Sequence, residues 1–186
     1  MAYDVYGAEA GVEAVREFLE DGTLDSGGPA DTYNGVLAER RTTLGITTAA
    51  LPDVSLFETY WHRAETAVRT PHLLVAWVGN DTEQLPPTGR SYDHRIEIGI
   101  FVAEADIAGD EIEVMRAAVR YLDAMRVMFH RRTAGQQGAT LNNGGTGAAQ
   151  GRVIHAAVVR QGYAVEGAPP NLLAVTELRV RMNEAY

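Results

Sequence analysis

One strand followed directly by one long helix restricts the possible architecture of this chain more than any other feature of its sequence. Residues 95–102 alternate strictly, with branched apolar side chains on one face. A short turn at 106–109 leads into an amphipathic helix that runs from Asp110 to about Phe129. A strand that is apolar on one face and continues into such a helix predicts a sheet covered by helices on one surface.

Composition sets the class of protein. The 186 residues fit one domain, or one domain with an arm, and the 46% hydrophobic content is enough for a substantial core. No apolar run approaches the roughly 20 residues that a membrane span needs. The first residues, 1–4, do not begin a secretory signal. Cysteine is absent, which excludes disulfides and Cys-ligated metals.

The charge balance is acidic, with a net charge of −9, and all 16 basic residues are arginine. A dedicated DNA-binding module needs a basic face that neutralises phosphates, so this balance argues against one. It remains compatible with a surface past which DNA slides without sticking.

The first third of the chain reads as helical with an extended interruption. Residues 8–20 predict a helix that Asp21 and Gly22 stop, and 31–41 predict a second helix after a loop at 22–30. Thr and Ile residues within 42–53 favour an extended segment.

Residues 55–69 predict a third helix, because Ser55 and Glu58 form a capping-box pattern ahead of an apolar stripe. Pro71 ends this helix. The stripe consists of Phe57, Tyr60, Trp61, Ala64 and Val68.

Two strands are predicted next, at 72–78 and 92–104, joined by a polar loop at 79–91 as an antiparallel pair. Both tryptophans, Trp61 and Trp77, are expected in the core, and the alternative is an exposed anchor at an oligomer interface.

The long helix at 110–130 has Asp110 as its cap and Glu113 as the second residue of a capping box. Acidic residues lie at its positive end and basic residues at its negative end. The predicted buried stripe consists of Ile112, Met115, Val119, Leu122, Met125 and Phe129. The predicted solvated side consists of Arg116, Arg120, Asp123 and Arg126.

A glycine-rich and amide-rich run at 133–151 precedes two further strands, at 152–165 and 172–182. In the last strand one face is apolar from Leu172 to Met182, and the other, with Glu177, Arg179 and Arg181, is expected to be wet. The predicted fold is therefore α+β: a four-stranded, mainly antiparallel sheet with a long helix on one face and N-terminal helices.

No motif for catalysis, cofactor binding or metal binding emerges. His62 lies between Glu58 and Glu65 on the predicted third helix, where a surface charge network is the favoured interpretation. Asp93 and His94 form a weak acid–base candidate. His155 lies within an apolar strand, which favours a buried, hydrogen-bonded side chain over a ligand. The run at 144–151 fails as a phosphate loop because it lacks lysine and precedes a strand.

The order of elements resembles that of tail terminator (tail completion) proteins of long-tailed phages, in which strands, a long helix and a closing strand pair follow an N-terminal helix. The matching segments are residues 92–104, 109–132, especially 120–125, and 152–182. Overall, the resemblance loosely covers residues 54–186. Residues 22–53 match no part of the pattern. The implied division is an N-terminal helical or extended arm at 1–53 and an α+β domain at 54–186, together forming one compact unit.

This resemblance implies a non-enzymatic structural protein of the virion, in the tail or neck, assembled in the host cytoplasm. Its implied partners are copies of itself in a ring, taken as a hexamer, the tail tube protein and a head–neck connector protein. Neither sequence-specific nucleic acid nor membrane is implied as a partner, and no cofactor or metal is expected. Sheet edges and long loops would make the contacts. The candidate interface residues are Arg131, Arg132, Gln136, Gln137, Asn142, Asn143, Glu177, Arg179 and Arg181.

Two alternatives stay open. One is another head–tail connector, such as a stopper or head-completion protein, and the other is a small enzyme that uses a His–acid pair such as Asp93 and His94.

Overall fold

A five-stranded mixed sheet forms the centre of the protein, with strand order β1-β2-β3-β5-β4. The computed structural model describes residues 5–22, 32–59, 70–80, 91–130, 153–166 and 171–183. The helices are α1 (Val5–Asp21), α2 (Tyr33–Leu44) and α3 (Glu111–His130). The strands are β1 (Leu56–Thr59), β2 (His72–Asn80), β3 (Ser91–Ala103), β4 (Val153–Glu166) and β5 (Asn171–Asn183).

The α+β class is as predicted, but the four-stranded antiparallel sheet is corrected to five strands by β1, which pairs parallel with β2. The sequence predicted that 56–59 would begin a helix. Instead of capping a helix, the Ser55 amide and hydroxyl both donate to the carbonyl oxygen of Pro71, at 2.8 and 2.9 Å. Pairing with β2 and packing of Phe57 against the core outweigh the local capping pattern. The rest of the predicted helix, 60–69, lies outside the described residues.

The remaining four strands confirm the sequence reading. β2 pairs antiparallel with β3, and β5 pairs antiparallel with both β3 and β4. Alternation in β5 is as predicted: even-numbered residues from Leu172 to Val180 are buried, whereas Arg179 and Arg181 on the other face are exposed. The sheet therefore has a core face, covered by helices, and an open face with charged residues.

The first two helices are also confirmed. Val12, Val15 and Leu19 of α1 are fully buried, and Gly22 ends the helix with a φ of 78°. In α2, the Thr32 hydroxyl accepts a hydrogen bond from the Gly35 amide at 3.0 Å, a normal N-terminal cap.

The prediction that 42–53 forms an extended segment is wrong. α2 continues to Leu44, the left-handed Gly45 ends it, and Thr48–Ala50 forms a turn of 3-10 helix. Asn34 fixes the far end of this segment, because its side chain accepts from the Val54 amide at 2.8 Å and donates to the Val54 carbonyl at 2.9 Å. These contacts come from α2, so local Thr propensity could not reveal them.

The long helix has the predicted ends but presents a different face to the sheet. The Glu113 amide donates to the Asp110 carboxylate at 3.1 Å, which confirms the cap. However, three members of the predicted stripe are exposed: Ile112 (57%), Met115 (39%) and Val119 (54%). The buried residues are Val114, Ala117, Ala118, Tyr121, Leu122, Ala124, Met125, Met128 and Phe129. At 3.6 residues per turn, the exposed trio lies roughly 130° around the helix from the centre of the buried arc.

The helices form one layer on the core face. α1 packs mainly against β1 and β2 and also contacts α2 and the other three strands. α3 packs against β4 and β5 and contacts α2. Side chains from all three helices and from the sheet join in one hydrophobic cluster. The layer thus has two sides, an α1 side over β1–β2 and an α2–α3 side over β4–β5.

Candidate functional site

The predicted interface residues divide into two groups. Arg131, Arg132, Gln136, Gln137, Asn142 and Asn143, together with the whole run 131–152, lie outside the described residues. Glu177, Arg179 and Arg181 lie on the open face of β5. There Glu177 accepts from Arg95 at 2.8 Å, and Arg181 makes a two-pronged contact with Asp93 at 2.8 and 3.0 Å. The structure therefore ties Glu177 and Arg181 to neighbouring β3.

The acid–base candidate on β3 is not brought together. Neighbouring strand residues point to opposite faces, so His94 is buried on the core face at 1% exposure while Asp93 faces Arg181 on the open face. The hydrogen bond from Arg181 holds the pKa of the Asp93 carboxyl below its ordinary value. A carboxylate held in this way is poorly placed to exchange protons with His94.

His72 at the start of β2 is buried on the open face, where its ring stacks on Phe101 with centroids 4.7 Å apart. Burial lowers the pKa of His72, although the nearby Glu58 carboxylate opposes the shift. His62 and the side chain of His155 lie outside what the structure describes. Within the described segments, no three His, Asp or Glu side chains lie close enough to hold a metal ion.

A groove lies on the α2–α3 side of the described residues, with a volume of about 630 Å³. We call it the α3 groove. Its apolar floor consists of Leu44, Ile112, Met115, Val119 and Tyr163, all between 39% and 57% exposed. Isolated exposed apolar residues are ordinary, but a contiguous set marks a contact surface.

The polar lining of the groove is predominantly positive. Arg40, Arg116 and Arg120 supply three guanidinium groups, whereas the carboxylates beside them are two, Asp123 in the lining and the adjacent Glu113. Arg40 contacts Asp123 at 3.0 Å across the α2–α3 junction. Arg116 and Arg120 both reach the Glu113 carboxylate, and the hydrogen bond from Arg116 is the main cause that lowers the pKa of Glu113. The groove thus joins an apolar floor to an excess of positive charge on an acidic chain.

Buried hydrogen bonds fix the walls of the groove. The Tyr33 hydroxyl donates to the Tyr121 carbonyl oxygen, and the Tyr121 hydroxyl donates to the Pro52 carbonyl oxygen, each at 2.8 Å. Burial raises the pKa of both phenols, so both remain protonated donors. From β4, the Gln161 amide donates to the Leu122 carbonyl at 2.8 Å. The relative positions of α2, α3 and β4 are therefore held from the core.

A second exposed apolar feature lies on the other side of the layer. Trp77 and Val78, near the end of β2, are 42% and 40% exposed, so the prediction that Trp77 packs in the core is wrong. Trp77 pairs with Ile96 at the point where a register shift interrupts β2. Trp61 lies outside the described residues.

Sequence reasoning noticed most of the α3 residues but assigned them the wrong role. Ile112, Met115 and Val119 follow helical spacing, which the sequence reading took as the core stripe. The signal that could have revealed this is that the apolar residues of α3 occupy two arcs, whereas a single buried face requires only one.

Compared with models of known protein families and with curated proteins, the chain matches none. In the described segments, no helix is long and apolar enough to cross a membrane.

Proposed function

We propose that this chain is a structural assembly protein of a tailed phage that forms a ring on the end of the tail tube and joins the tail to the head–neck complex. The observation that carries the proposal is the order β2-β3-α3-β4-β5 within one sheet, with α3 across one face, which is the order of the tail terminator resemblance.

The chemistry of the described surfaces supports contact over catalysis. Among them is the open α3 groove, which has an apolar floor and surface ion pairs. Asp93 and His94, the acid–base candidate, face away from each other. An apolar patch with a polar rim is typical of a protein–protein contact.

Capping of tail tubes tests this function directly. Cognate tube protein is polymerised with and without the purified chain, and tube length is measured by electron microscopy. We expect the chain to sit at one tube end and to stop elongation at a stoichiometry of one ring per tube. Tubes that elongate unchanged, with no chain at their ends, contradict the proposal.

A second candidate in the same class is a stopper or head-completion protein. The parallel strand β1 and the helical segment at 42–50 favour it, because neither belongs to the tail terminator pattern. The two candidates differ in their target. Binding to DNA-filled heads without an effect on tube length supports the connector role.

A further inference from the structure

The α3 groove restricts the chemistry of its occupant. Its floor is apolar, and its three arginines face two carboxylates, Asp123 in the lining and the adjacent Glu113, which leaves one positive charge in excess. The chain as a whole has a net charge of −9. An isologous dimer would set two such grooves against each other and oppose like charges. The occupant is therefore acidic and apolar, and it differs from the groove itself.

The α1 side of the helical layer has this chemistry. Trp77 pairs with Ile96 on the core face and is 42% exposed, and Val78 follows it at the register shift and is 40% exposed. Two residues before Trp77, Val75 pairs with Thr59, whose hydroxyl donates to Glu13 of α1 at 2.8 Å. Helix α1 carries one basic residue, Arg16, against five acidic residues: Glu9, Glu13, Glu17, Glu20 and Asp21. We call α1 together with Trp77 and Val78 the acidic side. It complements the α3 groove in both hydrophobicity and charge.

The two surfaces cannot meet within one copy. Trp77 pairs with Ile96, which in turn pairs with Leu178, so Trp77 lies at the level of Leu178 along the sheet. Tyr163 of the groove pairs with Ala174 and therefore lies at the level of Ala174. The separation is three strand spacings across the sheet, about 14 Å, and four residues along it, about 13 Å. A contact between two different surfaces that do not meet within one copy is head-to-tail between copies.

We propose that the α3 groove receives the acidic side of a second copy of this chain, in a head-to-tail contact. Such a heterologous contact builds a closed ring when the rotation closes and a filament when it does not. The inference rests on the proposed function, because a ring on a tail tube needs a contact that repeats between copies. The α3 groove and the acidic side are the two surfaces that make this contact.

Mixing two one-sided variants tests the contact. Val119→Asp places a carboxylate on the groove floor, where it repels the acidic side, and leaves the acidic side itself intact. Trp77→Arg removes the exposed ring and places a positive charge on the acidic side, and it leaves the groove intact. The native chain is expected to form concentration-dependent species beyond the dimer in analytical ultracentrifugation. Each variant alone is expected to associate about thirtyfold more weakly or worse, as for an interface hot spot. Their equimolar mixture is expected to form a dimer with one copy of each and to stop there.

Two further variants control the test. Val159→Asp changes a valine on β4 that is 54% exposed, as is Val119, but that lies outside both surfaces, so it is expected to associate like the native chain. Val78→Arg replaces Trp77→Arg if circular dichroism shows that the latter fails to fold. A mixture that stays monomeric, or either one-sided variant that still assembles alone, overturns the proposal.

The outcomes separate this inference from the proposed function. A native chain that stays monomeric at every concentration and on tubes overturns the head-to-tail contact, even if the chain caps tubes. Conversely, if mixed dimers form but tubes elongate unchanged, the contact stands and the tail-capping function falls.

Discussion

The face that α3 presents to the sheet can be tested with two valines on the same helix, Val114 and Val119. Val114 is fully buried in the core cluster, whereas Val119 is 54% exposed in the α3 groove. The substitutions Val114→Ala and Val119→Ala remove the same atoms from the same kind of secondary structure. Any difference in the free energy of unfolding therefore reports their environment.

The expected difference is large. Removing two buried carbon groups forfeits about 1.6 kcal/mol of transfer free energy, and the cavity left behind brings the cost of Val114→Ala to about 2–3 kcal/mol. At Val119 the lost side chain is half solvated, and alanine has the better helix propensity by up to about 0.7 kcal/mol. We therefore expect Val119→Ala to change stability by no more than about 0.5 kcal/mol, with stabilisation the favoured sign.

Urea denaturation followed by far-ultraviolet circular dichroism measures both values. The midpoint of thermal unfolding gives an independent check, with a drop of roughly 4–12 °C expected for Val114→Ala alone. Because self-association would bury Val119, both variants are compared at two protein concentrations. A neutral Val114→Ala beside a Val119→Ala that loses 2 kcal/mol or more would refute the structure and reinstate the stripe predicted from sequence.

Three further predictions concern single residues. Asn34→Ala removes both hydrogen bonds to Val54 and is expected to lower the free energy of unfolding, measured by urea denaturation, by about 1–3 kcal/mol. A loss under about 0.5 kcal/mol would mean that Asn34 does not hold the segment that ends at Val54. Burial lowers the pKa of His72, so folding favours the neutral imidazole. The contribution of His72 to the free energy of unfolding is therefore full above the unfolded pKa of about 6.5, and it declines as the pH falls through that value. Stability measured from about pH 7.5 to about pH 5.5 should therefore fall less in His72→Phe than in the native chain, and equal slopes would argue against this burial. Asp93→Asn breaks the contact with the half-exposed Arg181 and should cost no more than about 1 kcal/mol in the same urea assay; a larger loss would show that this pair is structural.

Local patterns predicted the parts of the fold that local chemistry controls. Alternation gave the extent and the buried face of β5, and end signals such as Asp110 and Gly22 marked helix boundaries that the structure confirms. In each case the interactions that matter lie within a few residues, so the sequence window contains the physical cause.

The candidate site was less accessible from sequence. The α3 groove combines α2, α3 and β4, which are distant along the chain, so their juxtaposition depends on packing that no local window records. Most of the predicted interface residues lie outside the described segments, and of the others Glu177 and Arg181 contact β3.

By itself, the sequence determined that this chain forms an α+β fold with alternating strands and a long capped helix, because periodicity and capping act through neighbouring residues. Only the tertiary structure decided that 56–59 becomes a strand, that Trp77 is exposed, and that Ile112 and Val119 face outward. The physical reason is that α3 has two apolar arcs, and a pattern of spacing cannot choose between them. The choice came from packing against the sheet and α2, which leaves Val114, Ala117 and Tyr121 buried, while the other arc remains on the surface as a groove.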